Sequence, residues 1–585
     1  MLLLSTLQIF LTWAVMALAL IGLGSIALRL FSKDHSLTDS FWMGLAISVA
    51  VLEIWNLVLP VTPSIALFLF GFGLFGLAIS RSKLLTSLLF AWQNSRWLLI
   101  LGLAIALLLA LRSCGPCEYY DTGLYGAPSV RWIQTYPAIP GLANLHGRLG
   151  FNSSVFPCIA ALAQGPWKDL GFHLFTGFLL SAFWATLLPA CARVLRAPAA
   201  SPPDWFHTIL AVPAFFWTIR SRIVGTQTDE PAAVVALVAA GILFADLSQK
   251  HREDNPNPQL SRLFLAATLF SVAVTFKEST AVFAFLAWCL VFRRIWQTTA
   301  PTQDRRLHLA AALISPALLL LPWFARSIIL SGYPLFPATI FAVPVPWKIP
   351  LSAARWYALS VQSWGRGPDS HFADTRGLHW LGDWLNHALR NRPSFQVPLA
   401  IALAGLAIAL ALRFRGAATP RPSYPWLSLL FPGLAGILFW FVASPDLRFA
   451  QLAIWTTAAT LGAWATASLD LQRPPSDTRP AHTSIILATL FLSLVWCLIS
   501  FGWKEPIQAL RGVQQPPPLP KPALVLNHTL SGLAVYVPAE GNQCWDAALP
   551  CTPYFDESLR LRNPSSLRWG FTSEARAVEL QTYGW

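Results

Sequence analysis

The chain has 585 residues, of which 55% are hydrophobic and only 12% are charged. Soluble globular proteins carry about a quarter charged residues, so this composition excludes an ordinary soluble enzyme and indicates a membrane protein. The formal net charge of +14 is compatible with nucleic-acid binding, but the cytoplasmic loops of membrane proteins are also rich in Lys and Arg. The positions of the charges therefore decide what they mean.

Long apolar runs recur along most of the chain. A run of about 18 or more apolar residues can cross a bilayer as a helix, and about fourteen such runs can be marked by this criterion. They lie near 8–29, 41–59, 63–80, 95–112, 171–192, 205–220, 231–247, 262–276, 280–293, 307–325, 396–412, 424–442, 449–468 and 483–502. The sequence therefore predicts an all-α polytopic membrane protein. The first run lacks a basic leader and a clear cleavage site, so we expect it to be retained.

The basic residues divide unequally between the two sets of loops that these spans create. One set carries most of the Lys and Arg residues, whereas the short loops of the other set carry only Arg220, Arg222, Lys277 and Arg448. The positive-inside rule makes the first set cytoplasmic. We therefore expect a multi-pass protein of the plasma (inner) membrane whose N-terminus and C-terminal tail face outward, and no nucleic-acid partner.

The spans divide the chain into transmembrane and outward parts. These are N-terminal transmembrane helices (1–112), a first large outward loop (113–170), central transmembrane helices (171–325), a second large outward loop (326–395), C-terminal transmembrane helices (396–502) and an outward tail module (503–585). The tail begins with a Pro-rich stretch that is typical of a semi-rigid spacer.

Two pairs of cysteines lie in the outward parts. Cys544 and Cys551 are in the tail, where an oxidising compartment would permit a disulfide. Cys114 and Cys117 form a C-G-P-C motif, but no βαβ pattern surrounds it. A local structural pair or free thiols are therefore expected there in preference to redox catalysis.

Polar clusters occur at nearly every outward loop or helix end. Ionisable groups at membrane depth are costly and usually functional, and if the bundle closes into one body these ends can converge on one outward-facing cavity. The candidate site residues are Glu118, Asp121, Tyr125, His146, Arg148, Asn152, Asp229, Glu230, Lys277, Glu278, Arg326, Tyr333, Asp446 and Arg448.

Each cluster also has a structural interpretation. Asp229 can cap a helix, Asp446 and Arg448 can form a local ion pair, and Arg326 can extend toward the lipid headgroups. Asp121 lies between tyrosines just outside a span and is harder to explain by structure alone.

The combination of residue types indicates a particular chemistry. A carboxylate beside a hydroxyl acceptor can act as a general base, while Arg and Lys groups in a partly desolvated site can hold a phosphate or stabilise one as it leaves. These are the requirements of group transfer from a lipid phosphate. A divalent cation is compatible with carboxylates and phosphate oxygens, but no ligand spacing demands a metal. The sequence has no phosphate-binding P-loop, so ATP-driven transport by this chain is not expected.

The stretch from Tyr120 to Ser154 carries a resemblance. It reads Y-D-T-G-L-Y and then P-G-L-A-N-L-H-G-R-L-G-F-N-S-S, which resembles a group of largely uncharacterised bacterial multi-pass membrane proteins. More distantly, the whole layout is similar to the GT-C glycosyltransferases, which include the protein mannosyltransferases, the aminoarabinose transferase of lipid A and the oligosaccharyltransferases. Those enzymes are multi-span bundles that use polyprenyl-phosphate-linked sugars and carry a catalytic Asp in their first large outward loop.

This resemblance assigns roles to particular residues. It implies that Asp121 is the catalytic base, with Glu118 as a companion, and that Lys277, Arg326 and Arg448 face the phosphate. The spacing here is E-x-x-D where those enzymes have an adjacent acidic pair or D-x-D. Three spans precede the one that leads into the first loop, so the GT-C-like bundle would carry an N-terminal extension.

The sequence thus predicts an outward-facing, inverting GT-C-like glycosyltransferase that modifies a cell-envelope glycan or glycolipid. Its partners would be a polyprenyl-phosphate sugar donor, a lipid or glycan acceptor, and membrane lipids. An O-antigen ligase or polymerase, a lipid or polysaccharide transporter, and a non-catalytic membrane scaffold remain as alternatives.

Overall fold

The computed structural model describes residues 1–32, 35–196, 200–249, 257–298, 302–367, 375, 377–415, 424–470 and 510–574. Seventeen α-helices and four short strands lie within these ranges. The helices are α1 (Leu2–Arg29), α2 (Leu37–Val58), α3 (Pro63–Arg112), α4 (Ala127–Thr135), α5 (Leu142–Leu145), α6 (Val155–Leu162), α7 (Phe175–Arg196), α8 (Pro202–Arg220), α9 (Asp229–Leu247), α10 (Asn257–Phe276), α11 (Ala281–Trp296), α12 (Thr302–Ser331), α13 (Leu351–Arg366), α14 (Leu381–Asn391), α15 (Pro393–Arg415), α16 (Leu430–Ala443) and α17 (Gln451–Asp470).

The long helices match the apolar runs of the sequence. In the described part of the chain, ten helices are long and apolar enough to cross a membrane, namely α1, α2, α3, α7, α9, α10, α11, α12, α15 and the segment that ends with α16. Helices α8 and α17 correspond to the predicted spans 205–220 and 449–468, and the predicted span 483–502 lies outside the described residues. The predicted all-α, multi-span membrane protein is confirmed.

Helix α3 accounts for two predicted spans at once. It has 50 residues, which at about 1.5 Å per residue is far longer than a bilayer core is thick. Its backbone leaves helical geometry at Ser95 (φ −149°, ψ 32°). The N–H of Val61, just before its start, donates to the Ile133 carbonyl (2.9 Å), and Arg112 at its end donates to the Ser221 carbonyl (2.8 Å). Both ends therefore lie near the loops that follow α3, and the helix doubles back at Ser95. We call the end of the bundle that carries residues 113–170 the loop face.

Glycines allow the first three helices to touch backbone to backbone. A Cβ on Gly22 of α1 would lie 1.9 Å from the Gly73 carbonyl oxygen of α3, and one on Gly24 would lie 1.8 Å from the Ser40 carbonyl oxygen of α2. Small residues at such crossings are the usual means of close helix packing in membranes, where burial of apolar surface gives little driving force. The N-terminal three helices thus form a tightly fitted unit.

Helix α9 lies at the centre of the bundle. Almost every one of its residues is buried, and it packs against α7, α8, α10 and α17. Its first residue is Asp229. The helix therefore brings a carboxylate to the middle of the loop face, surrounded by the ends of its neighbours.

The tail module is a small β structure. Strand β1 (Leu524–His528) pairs antiparallel with β2 (Ala534–Pro538), and β3 (Arg560–Leu561) pairs antiparallel with β4 (Phe571–Thr572). The disulfide permitted by the sequence is present between Cys544 and Cys551, whereas Cys114 and Cys117 are free thiols.

The module is attached to the first loop. The Phe571 N–H donates to the Pro140 carbonyl (3.0 Å), and the Phe571 ring meets Trp132 edge to face at 5.9 Å. The Asn144 amide donates to the Phe571 carbonyl (3.3 Å). The loop and the tail therefore form one surface over the end of the bundle.

A pair of neighbouring glycines in α3 tests the close packing of the N-terminal helices. In Gly73→Ala the new Cβ would lie 2.5 Å from the Ala19 carbonyl oxygen, whereas nothing lies within 4 Å of a Cβ on Gly71. We expect Gly73→Ala to destabilise the protein by about 1–3 kcal/mol and Gly71→Ala to be neutral or stabilising by up to about 1 kcal/mol. Thermal denaturation in detergent measures both, and equal melting temperatures for the two variants would contradict the packing.

Candidate functional site

Side chains from four separate segments meet at the loop-face end of α9. Lys277, between α10 and α11, places its Nζ 3.1 Å from Asp229 Oδ1. The Tyr119 hydroxyl donates to Asp229 Oδ2 (3.5 Å) and accepts from Arg448 Nη1 (3.0 Å). Arg448, between α16 and α17, is also paired with Asp446. We call Tyr119, Asp229, Lys277, Asp446 and Arg448 the loop-face cluster.

Arg448 is held by its own turn as well as by the cluster. Its Nε and Nη2 donate to Asp446 Oδ2 at 3.0 and 2.9 Å, and its backbone N–H donates to Asp446 Oδ1 at 3.0 Å. Burial by itself would lower the pKa of Arg448, but the charge of Asp446, followed by Tyr119 and Asp229, raises it. The guanidinium is therefore a permanent positive charge with a fixed direction.

Tyr119 connects the two ion pairs. Burial, and then the charge of Asp229, raises its pKa well above the ordinary value for a phenol. The hydroxyl consequently stays protonated and can donate to the carboxylate of Asp229 while it accepts from Arg448. Tyr119 was not among the residues selected from the sequence, although its place two residues before Asp121 was a signal that it belonged there.

The two cations remain accessible from the loop face. Side-chain exposure is 25% for Lys277 and 40% for Arg448. Both pack on the Phe449 ring, the Lys277 Nζ at 4.6 Å and the Arg448 guanidinium carbon at 5.6 Å from its centroid. An aromatic face stabilises a cation without neutralising it, and both cations, although paired with carboxylates, stay partly open to the loop face.

Asp121 lies at the start of an unusual turn beside the cluster. Residues Thr122–Gly126 form a π-helical turn that leads into α4, a rare geometry that is often found at functional sites. The turn packs on the segment before α9, where the Thr226 N–H donates to Thr122 Oγ1 (3.0 Å). Asp121 is partly buried and its side chain accepts no capping hydrogen bond from the turn. A partly exposed carboxylate thus lies at the start of the turn, and it does not cap the turn.

Tyr125 and Arg148 lie near Asp121. Burial, and then the charge of Asp121, raises the pKa of Tyr125, while Arg148 lowers it. The Arg148 guanidinium carbon also lies 5.9 Å from the centroid of the Phe151 ring. These selected residues therefore belong to the neighbourhood of the cluster, with Arg148 as a third cation near it.

Three of the predicted acidic residues lie around the cluster and do not take part in its ion pairs. Glu118 is exposed, and its backbone carbonyl accepts from Arg222 Nη1 (3.0 Å). Glu230 accepts from the Ser221 hydroxyl (2.9 Å) and so ties α9 to the end of α8. Glu278 opens the short 3-10 turn that follows Lys277.

Two further selected residues are packed in loops. Tyr333 is fully buried, and its hydroxyl donates to the Ile349 carbonyl (3.3 Å). His146 is buried, and its ring meets Tyr554 of the tail module edge to face at 5.2 Å. Tyr333 thus connects the end of α12 to the segment before α13, and His146 connects the first loop to the tail module.

Arg326 and Asn152 lie in a separate buried network. Arg326 is 3% exposed and donates through Nε to Asn56 Oδ1 (3.1 Å) and through Nη1 to Asn152 Oδ1. The Ser154 hydroxyl donates to Glu53 Oε1 (2.7 Å), and Glu53 and Arg326 attract each other electrostatically. The network joins α2, α12 and the first loop, and it holds Arg326 inside the protein, apart from the loop-face cluster.

Sequence reasoning missed Glu53. The signal was available, because Glu53 is a single carboxylate in the apolar run 41–59, and such a residue inside a span requires a partner. The identity of that partner was not available, since Glu53 and Arg326 are far apart in sequence.

Among the described residues, the carboxylates do not gather into a set of metal ligands. In the ranges that the structure describes, no group of three or more His, Cys, Asp or Glu side chains is placed so that it could hold a metal ion.

The fold and the charged helix ends define a multi-span membrane protein whose polar groups meet at one face. The chain belongs to the family described as Domain of unknown function (DUF8201), whose model matches residues 7–455. That match includes the whole loop-face cluster and ends before the tail module. No curated protein matches the sequence.

Two solved structures of the oligosaccharyltransferase of Archaeoglobus fulgidus are similar to the chain. The first, tethered to an acceptor peptide containing the NVT sequon, is 14% identical with a TM-score of 0.40, and the apo form is 12% identical with a TM-score of 0.37. Each comparison covers 72% of this chain and 56% of the other. The chain thus spans little more than half the length of that enzyme, and likeness at this level assigns no activity.

Removal of Arg326 tests the structural role of the buried network. Arg326→Met would leave the side-chain oxygens of Asn56 and Asn152 without their donor and remove the cation that attracts the buried Glu53, and a buried acceptor left unsatisfied costs about 1–3 kcal/mol. The double variant Glu53→Gln with Arg326→Met removes both charges and should recover part of that loss. Thermal denaturation in detergent measures the effect, with Arg81→Met, an exposed arginine of α3, as the control. A melting temperature for Arg326→Met equal to that of the control would refute the network.

Proposed function

We propose that the chain is a GT-C-type membrane glycosyltransferase that transfers a sugar from a polyprenyl-phosphate donor to an acceptor hydroxyl at the loop face. The observation that carries the proposal is the meeting of Tyr119, Asp229, Lys277 and Arg448 beside the turn of Asp121. A base and two accessible cations at the ends of membrane helices are what this reaction requires.

Asp121 serves as the general base. An Asp can accept the proton of an attacking hydroxyl when it lies within hydrogen-bond reach of it, and such catalysis contributes about 10²–10⁴-fold to a rate. The two carboxylates of the loop-face cluster are engaged, Asp229 with Lys277 and Asp446 with Arg448. Asp121, in the turn beside the cluster, is the carboxylate that we assign to the substrate.

Lys277 and Arg448 bind the phosphate of the donor. A sugar joined to a lipid phosphate is a phosphodiester, with one negative charge that becomes two as the sugar leaves. Cations that face the phosphate therefore stabilise the transition state more than the ground state, which is the condition for catalysis. Asp229 and Asp446 hold the cations in place before the donor arrives.

Under this proposal the transfer step is a single displacement at the anomeric carbon. The acceptor oxygen forms a bond to the anomeric carbon, and its proton passes to Asp121. The bond between the anomeric carbon and the phosphate oxygen breaks, and the polyprenyl phosphate leaves with that electron pair next to Lys277 and Arg448. Attack from the side opposite to the leaving group inverts the anomeric centre.

A lipid donor is consistent with the surroundings of the cluster. The indole of Trp384 in α14 donates to the Pro445 carbonyl (2.9 Å), directly before Asp446, and Trp384 also contacts Trp380 and Phe441. Tryptophans of this kind are enriched at the boundary between the membrane and water. Under this proposal the loop face is the outward face of the plasma membrane, and the prenyl chain lies between helices at that boundary.

Replacement of Asp121 tests the assignment of the base. Asp121→Asn keeps the shape of the side chain but cannot accept the proton, so we expect sugar transfer to fall at least about 100-fold. The matched control is Asp169→Asn, an exposed residue of the same loop whose nearest cation is Arg131 at 3.9 Å. A deletion strain complemented with each variant, followed by mass spectrometry of its envelope glycans and glycolipids, gives the result. Wild-type products from correctly inserted Asp121→Asn would rule out this mechanism.

Replacement of Lys277 separates phosphate binding from proton transfer. Lys277→Met removes one of the two accessible cations, so we expect weaker binding of polyprenyl phosphate by about tenfold, the effect of a charge-assisted contact of about 1.4 kcal/mol. Asp121→Asn should bind the same probe like the wild type. Binding of a fluorescent polyprenyl phosphate in detergent micelles measures both variants, and unchanged affinity of Lys277→Met would contradict the phosphate site.

A further inference from the structure

A loop of the tail module lies directly on the turn that carries Asp121. The Gln543 side-chain amide donates to the Tyr120 carbonyl (2.8 Å), and the Trp545 N–H donates to the Gly123 carbonyl (2.9 Å). One bond is made immediately before Asp121 and the other two residues after it. The loop therefore bonds to the backbone on both sides of Asp121.

The fit between Trp545 and Gly123 is close. A Cβ on Gly123 would lie 2.6 Å from Trp545 Cε2 and 2.8 Å from Gln543 Nε2, so a glycine is required for the loop to reach this position. Trp545 itself has φ +48°, a left-handed conformation that a bulky residue adopts only where its surroundings enforce it. The neighbouring Cys544 is 1% exposed and is joined to Cys551, which closes the loop.

The tail module is also attached to the first loop at other points. Phe571 at the far side of the module is bonded to Pro140 and Asn144 and packs on Trp132, and His146 packs on Tyr554. The contact of Gln543 and Trp545 with the turn is thus additional to the anchoring of the module.

We propose that Trp545 and Gln543 are positioning residues for the general base, and that the tail module completes the active site by fixing the turn of Asp121. This inference rests on the proposed function for its chemical meaning, because a base displaced by about 1 Å can lose about 100-fold in rate. The family match ends at residue 455. Asp121 therefore lies within the matched region, whereas Gln543 and Trp545 lie beyond it.

The experiment is a double-mutant cycle read by hydrogen exchange of the full-length protein in detergent. Gly123→Ala places a methyl group against the indole and should push the loop away, so exchange of peptides covering 119–126 should rise at least fivefold. Trp545→Ala removes the indole and should raise exchange of the same peptides. The double variant should exchange little faster than Trp545→Ala alone, since the methyl group then meets only the end of the flexible Gln543 side chain, at 2.8 Å. Non-additivity of this kind is the mark of a direct contact.

Two controls separate the contact from general damage to the tail. Trp569→Ala changes an exposed tryptophan of the same module and should leave exchange at 119–126 unchanged. Peptides covering β1 and β2 report whether the module stays folded. If Trp545→Ala unfolds β1 and β2, the exchange of Gly123→Ala alone tests the inference, because that change leaves the module's own sequence intact. Unchanged exchange at 119–126 in Gly123→Ala would overturn the inference, and so would additive effects of the two changes in a folded module.

The kinetic readout distinguishes positioning from substrate binding. Trp545→Ala should lower the rate of sugar transfer about tenfold or more, while binding of the fluorescent polyprenyl phosphate stays as in the wild type, because Trp545 bonds to the turn of Asp121 and the phosphate is assigned to Lys277 and Arg448. Trp545→Phe should restore part of the rate. A loss of probe binding with an unchanged transfer rate at saturation would overturn the positioning role.

Failure of this inference can be told apart from failure of the proposed function. Hydrogen exchange needs no substrate and no activity, so its outcome stands whatever reaction the protein catalyses. If Asp121→Asn has full activity while the cycle behaves as expected, the proposed base is wrong and the contact is real. If Asp121→Asn is inactive while exchange is unaffected in every variant, the base is right and the tail does not position it.

Discussion

The ion pair between Asp229 and Lys277 is the interaction on which the loop face depends. Asp229 is the first residue of α9, a helix whose residues are almost all buried. The packing of this helix therefore removes the Asp229 carboxylate from water. A charge in such a place is tolerated only when it is paired and hydrogen-bonded. Lys277 and Tyr119 provide those partners, and Tyr119 connects them to Arg448 and Asp446. Four segments are therefore held together by the requirement to satisfy one carboxylate.

The first loop is fixed from two sides. Within the bundle, the buried network of Glu53 and Arg326 connects Asn152 and Ser154 of the loop to α2 and α12. In addition, the tail module bonds to the backbone next to Asp121. A loop held in this way can present a carboxylate in one position, and a preorganised group is more effective than one that must be ordered during the reaction.

Much of this could be read from the sequence. Apolar runs located the long helices, because the bilayer imposes a minimum length on each of them. Scarcity of charge outside the topogenic loops directed attention to Asp121, Asp229, Lys277 and Arg448, which the structure brings to one region. Arg326 belonged to the same list by residue type, but the structure places it in a buried network with Asn56 and Asn152, near Glu53. Residue type and order along the chain cannot separate a cation that stays partly exposed at a helix end from one that is enclosed by packing.

The sequence by itself determined the class of protein, the approximate spans and the small set of ionisable residues at their ends, since these follow from the thickness of the membrane and the cost of placing charge in it. Tertiary structure alone decided which of those residues meet. The partners of Asp229 lie on two other segments, Arg326 of α12 bonds to Asn56 of α2, and Trp545 reaches Gly123 from the far end of the chain. Such contacts depend on how the helices pack against one another. Packing depends on the simultaneous fit of many side chains, and this fit cannot be read from a local sequence pattern.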